Sequence, residues 1–259
     1  VFTEISYAKC AETITDFAYG LHKLGVGKGD KVAILSENRP EWVFSDISVL
    51  ALGGVTVPIY STLSAKQVEY ILNDSHSKIL VISQPVYLDM VNKIFNNLKD
   101  LKRVITFFKP EEDALQITHY YEDIIEEGKT LRSEEPELLQ ERRRELDGTD
   151  LATIVYTSGT TGKPKGAMLT HSNFISNIKM SLEVIKIKED DILLSFLPIC
   201  HVFERMAGYY MPLYVGCTIA YAESIQAVSD NMREVRPTIM MSVPRLYEKM
   251  YNLVQDSVA

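Results

Sequence analysis

Between Lys31 and Phe107, short apolar runs alternate with segments in which apolar residues recur every three or four positions, and this alternation limits the possible folds more than any other feature. Residues 31–35 read as a buried strand, residues 40–52 as a helix opened by Pro40, and Gly53-Gly54 as the break before an extended run over 55–60. The unit then recurs: Ser64 caps a helix through Asn73, 78–82 is a strand, 85–98 a helix and 103–107 a strand. Parallel strands need long crossovers, which helices supply. The pattern therefore predicts an α/β fold of mainly parallel sheets with helices on both faces. Ahead of it, Tyr7, Cys10, Ala11, Ile14, Phe17, Ala18, Leu21 and Leu24 mark one face of a helix that Gly25 and Gly27 stop.

A second alternating set begins at Leu151: a strand over 151–157, a glycine-rich loop over 158–166, a short extended piece over 167–169 and a helix starting near His171 to Asn173. It continues with an extended run over 192–197, a helix around 203–215, a strand over 217–221, a helix over 224–235, a strand over 238–242 and a helix from Pro244.

Hydrophobic residues make up 46% of the 259, enough for a sizeable core and too many for wholesale disorder. The net charge of −8 argues against a nucleic-acid-binding domain, which needs clustered Lys and Arg. Residues 111–150 hold 14 acidic against 5 basic residues, so the acidity belongs to that one segment. With few large apolar residues it reads as a solvated connector without chemistry, in which residues 120–127 form a helical turn or two. Cys10, Cys200 and Cys217 lack the spacing of a zinc site or redox pair and imply a reduced, cytoplasmic setting. The longest uncharged stretches, 47–65 and 206–222, are broken by Gly, Pro and polar residues and do not read as membrane spans. No targeting signal is visible in these residues, and Val1 opens inside a globular pattern, as expected if the true N-terminus lies upstream.

The chemistry concentrates in Tyr156, Thr157, Ser158, Gly159, Thr160, Thr161, Gly162, Lys163, Pro164, Lys165 and Gly166. Three glycines let the backbone turn its N–H groups inward as an anion-binding nest, and hydroxyls and two lysines surround it. Pro164 pushes Lys163 toward an extended conformation, which predicts that Lys163 and Lys165 project from the same side. The string is not a Walker loop, because Pro164 follows Lys163 where Ser or Thr is required.

In that order these residues resemble the phosphate loop of the AMP-forming acyl-CoA synthetases of the adenylate-forming superfamily. The segments Leu197-Pro198-Ile199-Cys200-His201-Val202-Phe203-Glu204-Arg205 and Ser242-Val243-Pro244-Arg245-Leu246-Tyr247-Glu248-Lys249-Met250-Tyr251 resemble the long-chain fatty acid:CoA ligase branch. Residues 7–60 share the likeness, which spans nearly the whole chain. The resemblance implies ATP-dependent conversion of a long-chain fatty acid to acyl-AMP and pyrophosphate, then transfer of the acyl group to coenzyme A. It implies ATP, Mg²⁺ and coenzyme A as ligands, Thr157, Lys165 and His201 as catalytic residues, and residues 156–163, 165 and 166 as the nucleotide loop. Thr157 would contribute its hydroxyl to Mg²⁺ or phosphate, and Lys163 and Lys165 would offset phosphate charge. His201 would position the acyl carboxylate by hydrogen bonding, since that group is already ionised at neutral pH. Phe203 and Tyr209 are candidates to line the acyl pocket, while Arg245 is either structural, the reading slightly favoured, or approaches the substrate mouth.

The same resemblance implies a partial N-terminal domain of the acyl-CoA synthetase fold. Residues 30–183 would form one α/β subdomain with the phosphate loop; residues 1–29 and 188–259 would form an incomplete second one. The family's Thr-Glu pair that holds Mg²⁺ near the adenine, its ribose-binding aspartate, its hinge and its C-terminal lysine that contacts the α-phosphate have no match here, which implies a fragment inactive alone. The alternatives are an aryl or medium-chain acid ligase of the same superfamily, or a non-catalytic acyl- or nucleotide-binding fragment. A homodimer and peripheral association with a membrane both stay open, although no basic amphipathic helix argues for the latter.

Overall fold

The computed structural model describes the chain except for residues 1, 113, 158–162, 245, 246, 249, 250, 252–254 and 256–259. Two compact units emerge, one of residues 3–177 and one of residues 1–2 with 178–259.

In the first unit, α1 (Tyr7–Lys23) precedes β1 (Lys31–Leu35), α2 (Pro40–Ala51), β2 (Val55–Ile59), α3 (Ala65–Asp74), β3 (Ile79–Ile82), α4 (Pro85–Ile94) and β4 (Arg103–Thr106). There follow β5 (Thr118–Tyr120), α5 (Tyr121–Glu134), α6 (Leu138–Arg144), β6 (Leu151–Thr157), β7 (Lys165–Thr170) and the start of α7 (His171–Val184). The strands form one seven-stranded sheet in the order β5-β4-β3-β1-β2-β6-β7. Every neighbouring pair is parallel except β6 with β7. The predicted α/β architecture is thus observed, with one reversed strand at an edge.

Side chains alternate across a strand, so both faces of β1 can be buried at once. Ala33 and Leu35 join Val57, Ile59, Leu80 and Ile82 in a core closed by Val68, Ile71 and Leu72 of α3 and Leu88 and Val91 of α4. Val32 and Ile34 are buried as well, and α2 packs against β1 and β2. Each such Val, Leu or Ile contributes about 1.5–3 kcal/mol relative to its exposed state. Between β2 and β6 the ladder is reduced to the Thr56–Thr153 pair. Two buried hydroxyls reinforce it: Thr153 Oγ1 donates to the Thr56 carbonyl at 2.7 Å, and Thr56 Oγ1 to the Ala152 carbonyl at 3.3 Å. Through these bonds the sheet centre holds the strand that leads into the glycine-rich loop.

The acidic segment is more than the solvated connector its charge suggests. It supplies the edge strand β5 and the 14-residue helix α5, which packs along α1. Tyr121, Ile124 and Gly128 form a narrow buried stripe on α5. Gly128 has no side chain to register as apolar, yet a Cβ there would fall 1.8 Å from the Asp16 carbonyl oxygen of α1. Gly20 makes the reciprocal approach, with its Cβ position 2.2 Å from the Ile124 carbonyl oxygen. Helix α1 thus packs on both α2 and α5.

The second unit contains β8 (Ile192–Ser195), α8 (Val202–Glu204), a π-helical turn (Arg205–Tyr210), α9 (Met211–Val215), β9 (Thr218–Tyr221) and α10 (Val228–Val235). β8 and β9 pair in parallel. The strand expected over 238–242 is reduced to a single bridge between Leu193 and Ile239. Much of the helix expected from Pro244, Arg245 included, lies outside the described residues. Among the described residues no helix is long and apolar enough to cross a membrane.

Candidate functional site

The glycine-rich loop leaves a short antiparallel stem. Tyr156 is paired with Gly166 and Thr157 with Lys165, so consecutive pairs face opposite sides of the hairpin. Thr157 and Lys165 are both exposed at the mouth of the loop, where a hydroxyl and an ammonium group can meet a phosphate. Ser158, Gly159, Thr160, Thr161 and Gly162 lie outside the described residues.

The inner pair anchors the stem. Tyr156 is buried, and its hydroxyl donates to Asp74 Oδ2 at 2.7 Å. Burial, then the bond to Asp74, pushes the phenol above its ordinary range and keeps it a proton donor. Tyr70, one helical turn before Asp74 on α3, meets the Tyr156 ring edge-on with centroids 6.5 Å apart. Gly166 is required by this packing: a Cβ would lie 2.6 Å from Ile154 Cγ2 and 3.2 Å from Tyr156 Cζ.

Lys163 turns toward an aromatic ring of α3. Its Nζ lies 6.0 Å from the centroid of the Tyr70 ring, on the side of the hairpin that carries Tyr156. Strand pairing starts only at Lys165, so the side-to-side alternation does not extend back to Lys163, and the aromatic face attracts the cation. At the far end of β7, Thr170 and Asn173 open α7 reciprocally: Thr170 N–H donates to Asn173 Oδ1 at 2.8 Å and Asn173 N–H to Thr170 Oγ1 at 3.3 Å.

The second unit holds the His201 segment. β8 ends at Ser195, and the chain turns through Phe196 to Cys200 before His201 caps α8. Nδ1 of His201 accepts the Phe203 N–H at 3.2 Å, so the neutral ring carries its proton on Nε2 and presents a donor. Phe203 is 42% exposed, whereas Tyr209 is fully buried with its ring 4.4 Å from that of Tyr210. Phe203 is thus accessible to an apolar ligand, and Tyr209 is packed as part of the π-helical turn.

Sequence reasoning passed over two acids. Asp74 reads as one more polar residue at the end of an amphipathic helix. Glu204 reads as part of a charged Glu-Arg pair, yet it is buried at 1% exposure. Its Oε1 accepts from Ser195 Oγ at 2.7 Å, and Oε2 is enclosed with no hydrogen-bond partner among the described residues. Burial, partly offset by the Ser195 bond, raises its carboxyl to about 7. The available signal was position: Glu204 follows His201 by one helical turn and borders a long uncharged run. Among the described residues there is no group of three or more His, Cys, Asp or Glu able to hold a metal ion.

Residues 2–258 match the model of the AMP-binding enzyme family. The chain is 36% identical over 264 residues to the long-chain-fatty-acid–CoA ligase FadD15 of Mycobacterium tuberculosis, covering 100% of this chain and 42% of that protein. It is 31% identical over 264 residues to the chloroplastic long-chain-fatty-acid–[acyl-carrier-protein] ligase AEE15 of Arabidopsis thaliana, covering 99% and 36%. The crystal structure of a long-chain-fatty-acid-CoA ligase, FadD1 from Archaeoglobus fulgidus, superposes with a TM-score of 0.80 at 22% identity, covering 98% of this chain and 48% of that one. The chain spans well under half the length of these curated relatives. The match over almost every residue, together with the hairpin-borne glycine loop, establishes that the chain belongs to the family of AMP-binding enzymes.

Proposed function

We propose that the full-length protein containing this chain activates a long-chain fatty acid with ATP and passes the acyl group to coenzyme A. The ordered string from Tyr156 to Gly166, on a stem that presents Thr157 and Lys165 together, carries this reading. The 36% identity to a long-chain ligase across the chain supports the substrate class.

A carboxylate is a poor electrophile, so its oxygen must first become part of a good leaving group. The acid's oxygen attacks the α-phosphorus, a new P–O bond forms, and the bond to the β-phosphate breaks to release pyrophosphate. The coenzyme A sulfur then adds to the acyl carbon and AMP departs. Charge accumulates on the leaving pyrophosphate, where a loop of N–H groups and Lys165 would act electrostatically. Residues 30–183 would supply this nucleotide-binding subdomain. His201, a donor through Nε2, would orient the acyl carboxylate, and Phe203 would meet the start of the acyl chain.

The hydroxyl of Thr157 suits Mg²⁺, a hard cation that takes oxygen ligands. When bound, the ion would offset phosphate charge in the manner expected of Lys165.

Pyrophosphate release by the full-length protein with MgATP and acids of graded length tests the reading. Acids of about twelve carbons or more should be preferred, because each added methylene in an apolar pocket contributes to discrimination. Equal use of aryl or medium-chain acids would overturn the long-chain assignment. Lys165→Ala should lower kcat by about 100-fold, and His201→Ala should reduce acyl-AMP formation more than ATP binding. The relationship to AEE15 favours one further comparison, with acyl carrier protein offered in place of coenzyme A. Exclusive transfer to the carrier would replace the acceptor and leave the adenylation step intact.

A further inference from the structure

We propose that Glu204 is a positioning residue that works as an uncharged acid, clasping the turn that carries His201 to the end of β8 through Ser195. The inference rests on the reading of His201 as the residue that orients the acyl carboxylate.

Four observations converge on it. Ser195 is the last residue of β8 and Glu204 the last of α8, so their 2.7 Å hydrogen bond ties together the two ends of the stretch containing His201. The carboxyl is enclosed at 1% exposure, and Oε2 has no hydrogen-bond partner among the described residues. It also fills the place of a side chain at Gly208: a Cβ there would lie 2.3 Å from Oε1 and 2.8 Å from Oε2. Finally, the helix widens to a π turn directly after Glu204, which opens the space between Glu204 and Gly208 that the carboxyl occupies.

An anion in this enclosed place would have the Ser195 hydroxyl as its donor, so the neutral acid is the less costly form. Burial, the larger influence, and the Ser195 hydroxyl together leave the proton in place up to about pH 7. Other titratable groups of the same turn do not replace that proton. Cys200 is held as a thiol, pushed up to about 12 by burial, and Arg205 directs its guanidinium over the Tyr210 ring at 5.4 Å. His201 is exposed and caps α8 through Nδ1. The acid therefore serves as a hydrogen-bond acceptor of fixed shape, which a carboxamide could imitate.

The test uses the full-length protein with Glu204→Gln, Glu204→Ala, Ser195→Ala and the double variant Glu204→Ala/Gly208→Ala. Amide hydrogen exchange over residues 196–203 should rise in Glu204→Ala and Ser195→Ala and stay at the wild-type level in Glu204→Gln. The double variant, whose added methyl refills the vacated space, should recover thermal stability but not exchange protection. In pyrophosphate release near pH 6.5, Glu204→Gln should keep kcat within about twofold, while Glu204→Ala loses at least tenfold with the KM for ATP little changed. Wild-type kcat should fall as pH rises past about 7, and Glu204→Gln should remove that fall. Wild-type exchange in Glu204→Ala, or exchange in Glu204→Gln as fast as in Glu204→Ala, overturns the clasp. Superimposable pH profiles of wild type and Glu204→Gln overturn the uncharged acid. Failure of the wild type to release pyrophosphate with any acid would instead overturn the proposed activity, and the exchange measurement would still decide the clasp.

Discussion

The hydroxyl of Tyr156 donates to Oδ2 of Asp74 at 2.7 Å, tying the penultimate residue of β6 to the last residue of α3. The next residue after Tyr156 enters the mouth of the glycine-rich loop. Tyr156→Phe should cost about 1 kcal/mol, and Asp74→Ala about 1–3 kcal/mol because it strands a buried hydroxyl. Urea denaturation of both single variants and the double variant should give a coupling energy of about 1 kcal/mol; strict additivity would mean that the two groups do not interact.

Gly166→Ala should destabilise by about 1–3 kcal/mol, since the new methyl meets Ile154 Cγ2 at 2.6 Å inside a packed face. Ile154→Val removes the δ-methyl and leaves Cγ2 in place, so it should not rescue Gly166→Ala. Ile154→Ala removes Cγ2 and should recover part of the loss in the double variant. Thermal melts of the three variants check this ordering.

Gly128→Ala should be more damaging than Gly166→Ala, at about 3 kcal/mol or more. The obstacle is the Asp16 backbone oxygen, 1.8 Å from the added Cβ, and backbone cannot swing aside as a side chain can. Relief requires α1 and α5 to separate. That separation would also weaken the 3.0 Å ion pair between Arg132 of α5 and Asp16 of α1. Hydrogen exchange in α1 should therefore rise in this variant; unchanged exchange would place the strain elsewhere.

Stability should fall with rising pH through Glu204. Its folded value, about 7, lies above the ordinary 4.5, so between these values the folded state binds more protons than the unfolded one. The stabilisation is complete below about pH 4.5, declines up to about pH 7 and is level beyond, a total of about 3 kcal/mol at most. Wild type minus Glu204→Gln, measured by urea denaturation from pH 5 to 8, isolates this contribution. A flat difference would show that the carboxyl titrates normally.

The strand-and-helix succession of the first unit was legible because residues such as Val32, Ala33 and Ile34 are buried on both faces and form continuous apolar runs. The glycine loop was legible because its order of Gly, Thr and Lys is unusual. The packing of α5 was not, since its closest contact is made by Gly128, a residue that reads as a helix breaker. The approach of Lys163 to the Tyr70 ring was not legible, because strand pairing begins only at Lys165 and Tyr70 is brought there by the fold. Asp74 and Glu204 escaped notice because their partners, Tyr156 and Ser195, are brought to them by the fold and not by helical or strand spacing.

The reversal of β7 against β6 brings together the two ends of the glycine-rich segment. Because β7 runs against β6, Thr157 and Lys165 sit directly across a ladder, and residues 158–164 start and finish on neighbouring strands about 5 Å apart. The entropy of bringing the ends of that loop together is therefore lost when the sheet forms, before any nucleotide arrives. On the proposed reading, a nucleotide phosphate that meets Thr157 and Lys165 does not have to bring these two strand ends together, and more of its interaction free energy is retained as affinity.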